Sequence, residues 1–167
     1  MRKAMICMIL LVFLLGWISS SLISPVLVFD KEQPLAFSFL WGQAAELESP
    51  ADHITERQIH VYSDRIVLDI DDAIFAKYAD TNSMDPLLDA EANGIEIKPE
   101  HSGEIQVGDV ISYKSRQTPG LLVHRVVQKG VDDNGYFFVL KGDNNPNLDP
   151  EKVRFDQVNG VLVGVIY

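Results

Sequence analysis

With 167 residues, 24 of them acidic against 14 basic, the chain carries a formal net charge of −10. That balance excludes a general nucleic-acid binder, which needs a basic surface, and it argues against attachment to anionic lipid through a charged patch. The single cysteine, Cys7, allows no internal disulfide, so any folded part must rest on an apolar core.

The first predicted element is a membrane anchor. No charged residue stands between Lys3 and Asp30, and the run from Ala4 to Phe29 is apolar except for Gly16, Ser19, Ser20, Ser21, Ser24 and Pro25. As a helix rising about 1.5 Å per residue it spans roughly 39 Å, more than a hydrocarbon core of about 30 Å. Arg2 and Lys3 ahead of small residues at Ser19 to Ser21 also suit a cleavable secretory signal. The apolar character resumes through Leu22, Ile23, Val26, Leu27 and Val28, which favours a retained anchor. In both cases the positive flank stays cytoplasmic and everything after Asp30 is exported, as in a single-pass protein of the cell membrane.

Residues 30–57 read as a juxtamembrane connector with Pro34 and Pro50. Its apolar knot, Leu35 to Trp41, suits either the membrane interface or an ordinary strand. Residues 58–167 then read as one extracytoplasmic domain built from strands. His60 to Tyr62 and Arg65 to Ile70 flank Ser63-Asp64, a two-residue hairpin turn. Ala73 to Tyr78, Ile95 to Ile97, Asp109 to Tyr113, Leu121 to Gln128, Tyr136 to Leu140 and Val161 to Tyr167 follow, with a tight turn at Asn134-Gly135. Short Val-, Ile- and Tyr-rich runs between turns predict a mainly β, compact antiparallel domain with little helix after Phe29. The last run is too short to cross a bilayer and is expected in the core.

Three blocks could carry chemistry. Ser83 lies between Asn82 and Pro86 at the end of a predicted strand, a setting that suits a plain turn serine and equally an exposed nucleophile. His53, His60 and His101 stand in polar stretches and are expected to be exposed. His124 instead lies inside the apolar run Leu121 to Val127, on the same face as Leu122 and Val126. A core histidine bonded to backbone is the ordinary explanation, yet an imidazole is also the natural general base at neutral pH. Asp143, Asn145, Asn147 and Asp149 alternate like the start of a calcium loop. Leu148 then stands where the turn needs glycine and Arg154 where a glutamate belongs, so no metal is expected. Either Asp143 or Asp149 could orient a histidine, and either could simply shape a turn.

Taken together, Ser83-Met84-Asp85-Pro86, Gly108-Asp109-Val110-Ile111, His124-Arg125-Val126 and Gly142-Asp143-Asn144-Asn145 with Asp149 resemble the type I signal peptidase family. The histidine before Arg-Val, where the bacterial branch has lysine, points to the archaeal and endoplasmic-reticulum branch. The resemblance covers Thr81 to Tyr167. It implies Ser83 as nucleophile, His124 as general base and Asp149 as orienting acid, with Asp143 supporting the loop or sharing that role. Thr81 would assist the Ser83 amide in binding the oxyanion, and Met84 and Pro86 would adjoin bound substrate.

The implied substrates are signal peptides of exported preproteins, with small residues one and three places before the cut, paired against Ala73 to Ala79. No cofactor is implied. The chain departs from the family's pattern in Asn82, often glycine, and in the long segment 84–108, expected to cap or reshape the cleft. Two alternatives stand: a Ser-Lys autoprotease using Lys114, Lys129 or Lys141, and a non-catalytic binding or assembly module of the same fold.

Overall fold

The computed structural model describes residues 47–167. The expected anchor, the apolar knot and Cys7 lie outside the described residues. Among those described, no helix is long and apolar enough to cross a membrane, and the helical pieces are two 3-10 turns, Glu56–Gln58 and Phe155–Gln157.

The described residues fold as nine strands: β1 (Ile59–Val61), β2 (Ile66–Leu68), β3 (Ile74–Lys77), β4 (Asn93–Ile97), β5 (Val110–Lys114), β6 (Leu121–Asp132), β7 (Gly135–Lys141), β8 (Val153–Arg154) and β9 (Val158–Ile166). β1 and β2 form a separate hairpin, closed where the Tyr62 N–H donates to the Arg65 carbonyl at 2.8 Å. The others form one sheet in the order β3-β4-β9-β5-β6-β7-β8, with every neighbouring pair antiparallel. The C-terminal strand thus lies near the middle of the sheet.

Alternation along the strands builds two apolar layers. Ile111 and Tyr113 of β5, Val126 of β6, Phe138 and Leu140 of β7 and Val161 of β9 pack on one face with Ile105 and Val153. Val110 and Leu162, one residue out of phase, pack on the other with Met84, Leu88 and Ala92. Covered on both faces, β5 is buried from Val110 to Tyr113, which explains a run without polar alternation.

Segment 84–108 shapes the cavity beside Ser83 through Met84, Leu88 and Glu96, as expected, and it also supplies β4 to the sheet and Leu88, Ala92 and Ile105 to the two cores. Two expectations change. The end of the expected connector packs on the domain, because the buried Asp109 carboxylate needs donors and takes the Ala51 N–H at 2.8 Å and His53 Nε2 at 3.0 Å. His53, expected to be exposed, therefore has a side chain only 12% accessible. Gly108 permits this approach, since its φ is +100° and a Cβ there would run into the Ser49 carbonyl.

Candidate active site

β3 leads to a sharp turn in which Asn82 adopts φ +59°, a left-handed conformation that asparagine tolerates better than most residues with a side chain. This lets Asn82 stand where glycine is the usual choice. The turn presents Ser83 at a partly open position while Met84, 4% exposed, anchors it in the second core. The loop after β7 clamps the turn: the Asn144 N–H donates to the Ser83 carbonyl at 3.0 Å, and Asn144 Nδ2 donates to the Asn82 carbonyl at 2.9 Å. Gly142 is required by this closeness, because a Cβ there would lie 2.5 Å from the Ser83 carbonyl oxygen.

β6 pairs His124 with Ile111 of β5, on the face of Leu122 and Val126. Its Nε2 lies 3.2 Å from Ser83 Oγ, and its Nδ1 lies 2.7 Å from Asp149 Oδ2. Asp149 is held by its own N–H, which donates to the Leu140 carbonyl at 2.8 Å. The same Oδ2 accepts the Tyr113 hydroxyl at 2.7 Å. Burial works to raise the Asp149 carboxyl, but the bonds from His124 and Tyr113 and the charge of His124 outweigh it, leaving the group below the usual carboxylate range. Burial, and then the bond to Asp149, push the Tyr113 phenol upward, so it stays a donor. An ionised carboxylate only accepts, so Nδ1 carries the imidazole proton and Nε2 turns its lone pair toward Ser83.

Thr81 Oγ1 lies 3.3 Å from Ser83 Oγ. The Ser83 N–H donates to no acceptor among the described residues, which leaves it available for an oxyanion. Asp143 does something different from Asp149. Its two oxygens accept Arg125 Nε and Nη2, both at 2.7 Å, and Arg125 Nη1 donates to the Gly108 carbonyl at 2.7 Å. Arg125, 8% exposed, thus ties the Gly108 turn to the Gly142–Asn145 loop and so to the turn of Ser83. The Asp143 N–H also faces Met84 Sδ at 3.4 Å.

Ser83 and His124 open on a cavity of about 380 Å³ whose walls include Phe75, Tyr78, Glu96 and Leu122. Two strand edges with no partner among the described residues flank it. Among the described residues, β3 pairs only with β4, and β6 pairs with β7 only from Arg125 onward, leaving Leu121 to His124 open on that side. Met84 adjoins the cavity, but Pro86 does not. The Leu87 and Leu88 N–H groups both fold back on the Met84 carbonyl, which carries Pro86 away toward the Tyr167 hydroxyl.

The roles of Tyr113 and Asn144 have no signal in the sequence, since both contacts join segments far apart in the chain. Arg125 did carry one: a charge inside an apolar run requires a buried partner.

The described residues thus define a mainly β, antiparallel domain with a serine, a histidine and an aspartate in hydrogen-bonded line at an open cleft. The chain matches no family model and no solved structure. A stretch of 44 residues is 46% identical to an uncharacterised protein of Methanocaldococcus jannaschii, covering 26% of this chain and 22% of that protein. The chain therefore spans under a quarter of that relative's length in the match, and the likeness assigns no activity.

Proposed function

We propose that this protein is a membrane-anchored serine endopeptidase of the type I signal peptidase kind, in its Ser-His branch, that removes signal peptides from exported precursors. The observation that carries the reading is the line Ser83 Oγ, His124 Nε2, His124 Nδ1, Asp149 Oδ2, with separations of 3.2 and 2.7 Å across its two hydrogen bonds. In this reaction Ser83 Oγ attacks the scissile carbonyl while His124 Nε2 takes its proton. Asp149 stabilises the imidazolium, and the Ser83 N–H with the Thr81 hydroxyl faces the developing oxyanion. His124 then protonates the leaving amine, and a water attacks the acyl-enzyme by the reverse path. The 3.2 Å separation is at the loose end of the range and would tighten with substrate bound.

An extended substrate fits as an added strand between the open edges of β3 and β6. The apolar run over 4–29 suits an anchor that raises the encounter rate with a precursor held in the same bilayer. A lysine base has less support. The Ser83 hydroxyl has Thr81 and His124 as its partners among the described residues, and the Lys129 amine is engaged with the carbonyls of Gly103 and Ile105.

The test is cleavage of a membrane-inserted precursor, bearing small residues before the cut, by the detergent-solubilised full chain. Mature product from the parent and none from Ser83→Ala or His124→Ala is expected. Product formed equally by Ser83→Ala would sink the proposal, and folded parent protein that cleaves none of several precursors would favour the binding module.

A further inference from the structure

Glu96 is the most buried acid on the cleft wall, 1% exposed, on β4. Its Oε2 accepts the Ser112 hydroxyl at 2.5 Å and its Oε1 the Tyr78 hydroxyl at 3.3 Å. Both partners are neutral. The other buried or nearly buried carboxylates face a nitrogen base or cation: Asp109 meets His53, Asp143 meets Arg125 and Asp149 meets His124. Glu96 has no such partner among the described residues.

Room for it is built by backbone. A Cβ on Gly160 would lie 2.5 Å from Glu96 Oε2, and a Cβ on Gly94 would run into the Tyr78 ring that reaches Glu96. A carboxyl is a costly way to cross-link two hydroxyls, since a glutamine could bond both without a charge to desolvate, its oxygen accepting from one and its NH2 donating to the other. Burial indeed pushes this carboxyl above its usual range, with Ser112 and Tyr78 pulling it part of the way back. The arrangement makes sense where a cation arrives from outside.

We propose that Glu96 is the floor of a substrate side-chain pocket that selects a lysine or arginine close to the scissile bond, its carboxylate receiving the cationic end. This rests on the endopeptidase reading of Ser83 and His124, and it names a substrate feature beyond the small residues that reading implies. The cavity that Glu96 shares with Ser83 and His124 is about 380 Å³, in the range that takes a large side chain together with adjoining backbone. A small apolar side chain would leave the Glu96 carboxyl facing empty or watery space. A site built around a polar partner discriminates strongly against a ligand lacking it.

The experiment uses the full, detergent-solubilised chain carrying Ser83→Ala, so that peptides bind without turnover. Fluorescence anisotropy compares peptides with lysine, acetyl-lysine or norleucine at each of the four positions before the cut. At one position lysine should bind about tenfold or more tightly than both neutral analogues, a difference of roughly 1.4 kcal/mol. Glu96→Gln, which can still bond both hydroxyls, its oxygen accepting from one and its NH2 donating to the other, should erase that difference. Acetyl-lysine tests the charge without changing the protein, so the inference stands or falls even if the variant folds poorly.

Equal binding of the three peptides at every position, or a preference that survives Glu96→Gln, overturns the proposal. If the parent cleaves the peptides without preference, this pocket fails and the endopeptidase reading stands. If lysine is preferred through Glu96 but the parent cleaves nothing, the pocket stands and the endopeptidase reading fails. Absence of binding by every peptide overturns both.

Discussion

Asp143 and Asp149 sit six residues apart in one loop, and substituting each by asparagine should separate two kinds of damage. Asp149 Oδ2 receives both His124 Nδ1 and the Tyr113 hydroxyl at 2.7 Å. An asparagine oxygen in that place keeps both bonds but not the charge. A hydrogen bond to a charged group contributes about 1.5–3 kcal/mol against about 1 kcal/mol for a neutral one, so the loss of charge alone costs roughly tenfold in rate. If the amide turns its NH2 toward His124 instead, the imidazole is driven to the wrong tautomer and the loss approaches 10⁴-fold. Asp149→Asn should therefore lower kcat by about 10- to 10⁴-fold with KM nearly unchanged, because Asp149 does not line the cleft.

Asp143→Asn strips the charge from the bidentate partner of Arg125, whose side chain is 10% exposed. That should cost roughly 2–3 kcal/mol of stability, read as a melting point lower by about 10 °C. Its kcat, measured well below that melting point, should fall only a few-fold. A fluorogenic peptide assay beside thermal melting checks both. The reasoning is refuted if Asp143→Asn lowers kcat as much as Asp149→Asn with its melting point intact, or if Asp149→Asn keeps most of the parent activity.

Tyr113→Phe keeps the packing of the first core but removes one of two donors to Asp149, and kcat/KM should fall by about 5- to 30-fold for the loss of roughly 1–2 kcal/mol, measured beside a melting curve. Arg154 bonds hold the Asp132 carboxyl down at about 2, against burial acting weakly the other way. A carboxyl depressed in the folded state adds stability that is present above its unfolded value, about 3.9, and is lost as pH falls through the folded one. Urea midpoints should therefore drop between about pH 4 and pH 2 in the parent, with a smaller drop in Asp132→Asn. A pH–rate profile separates the bases: a histidine base loses activity on the acid side of neutrality, whereas a lysine base gives a rate that climbs only toward alkaline pH.

Much of the sheet was legible because strands with one or two buried faces write their burial into the chain. β3, β5, β6, β7 and β9 coincide closely with runs of branched and aromatic residues, and alternation alone places His124 on the face of Leu122 and Val126. β8, only Val153–Arg154, is too short to leave a pattern. β4 runs Asn93–Ile97, of which the sequence showed Ile95 to Ile97, its start being obscured by Asn93 and Gly94. The site was legible as residue types in order, but not as pairings. Ser83 meets His124 across 41 positions and His124 meets Asp149 across 25, so choosing Asp149 over Asp143 depends on where two strands and a loop converge. The docking of Ala51 and His53 on Asp109 was hidden for the same reason, since a polar segment gives no hint that a buried carboxylate will collect it.

The most direct test of the whole account is to trap the acyl-enzyme. A peptide ester with a good leaving group is mixed with excess full-length protein, quenched in acid within the first turnover, and the digest is analysed by mass. The account predicts one added acyl group on the fragment containing Ser83, a slower build-up in His124→Ala and none in Ser83→Ala. Hydrolysis with no adduct at any time, or the same adduct on a different residue in Ser83→Ala, would contradict it.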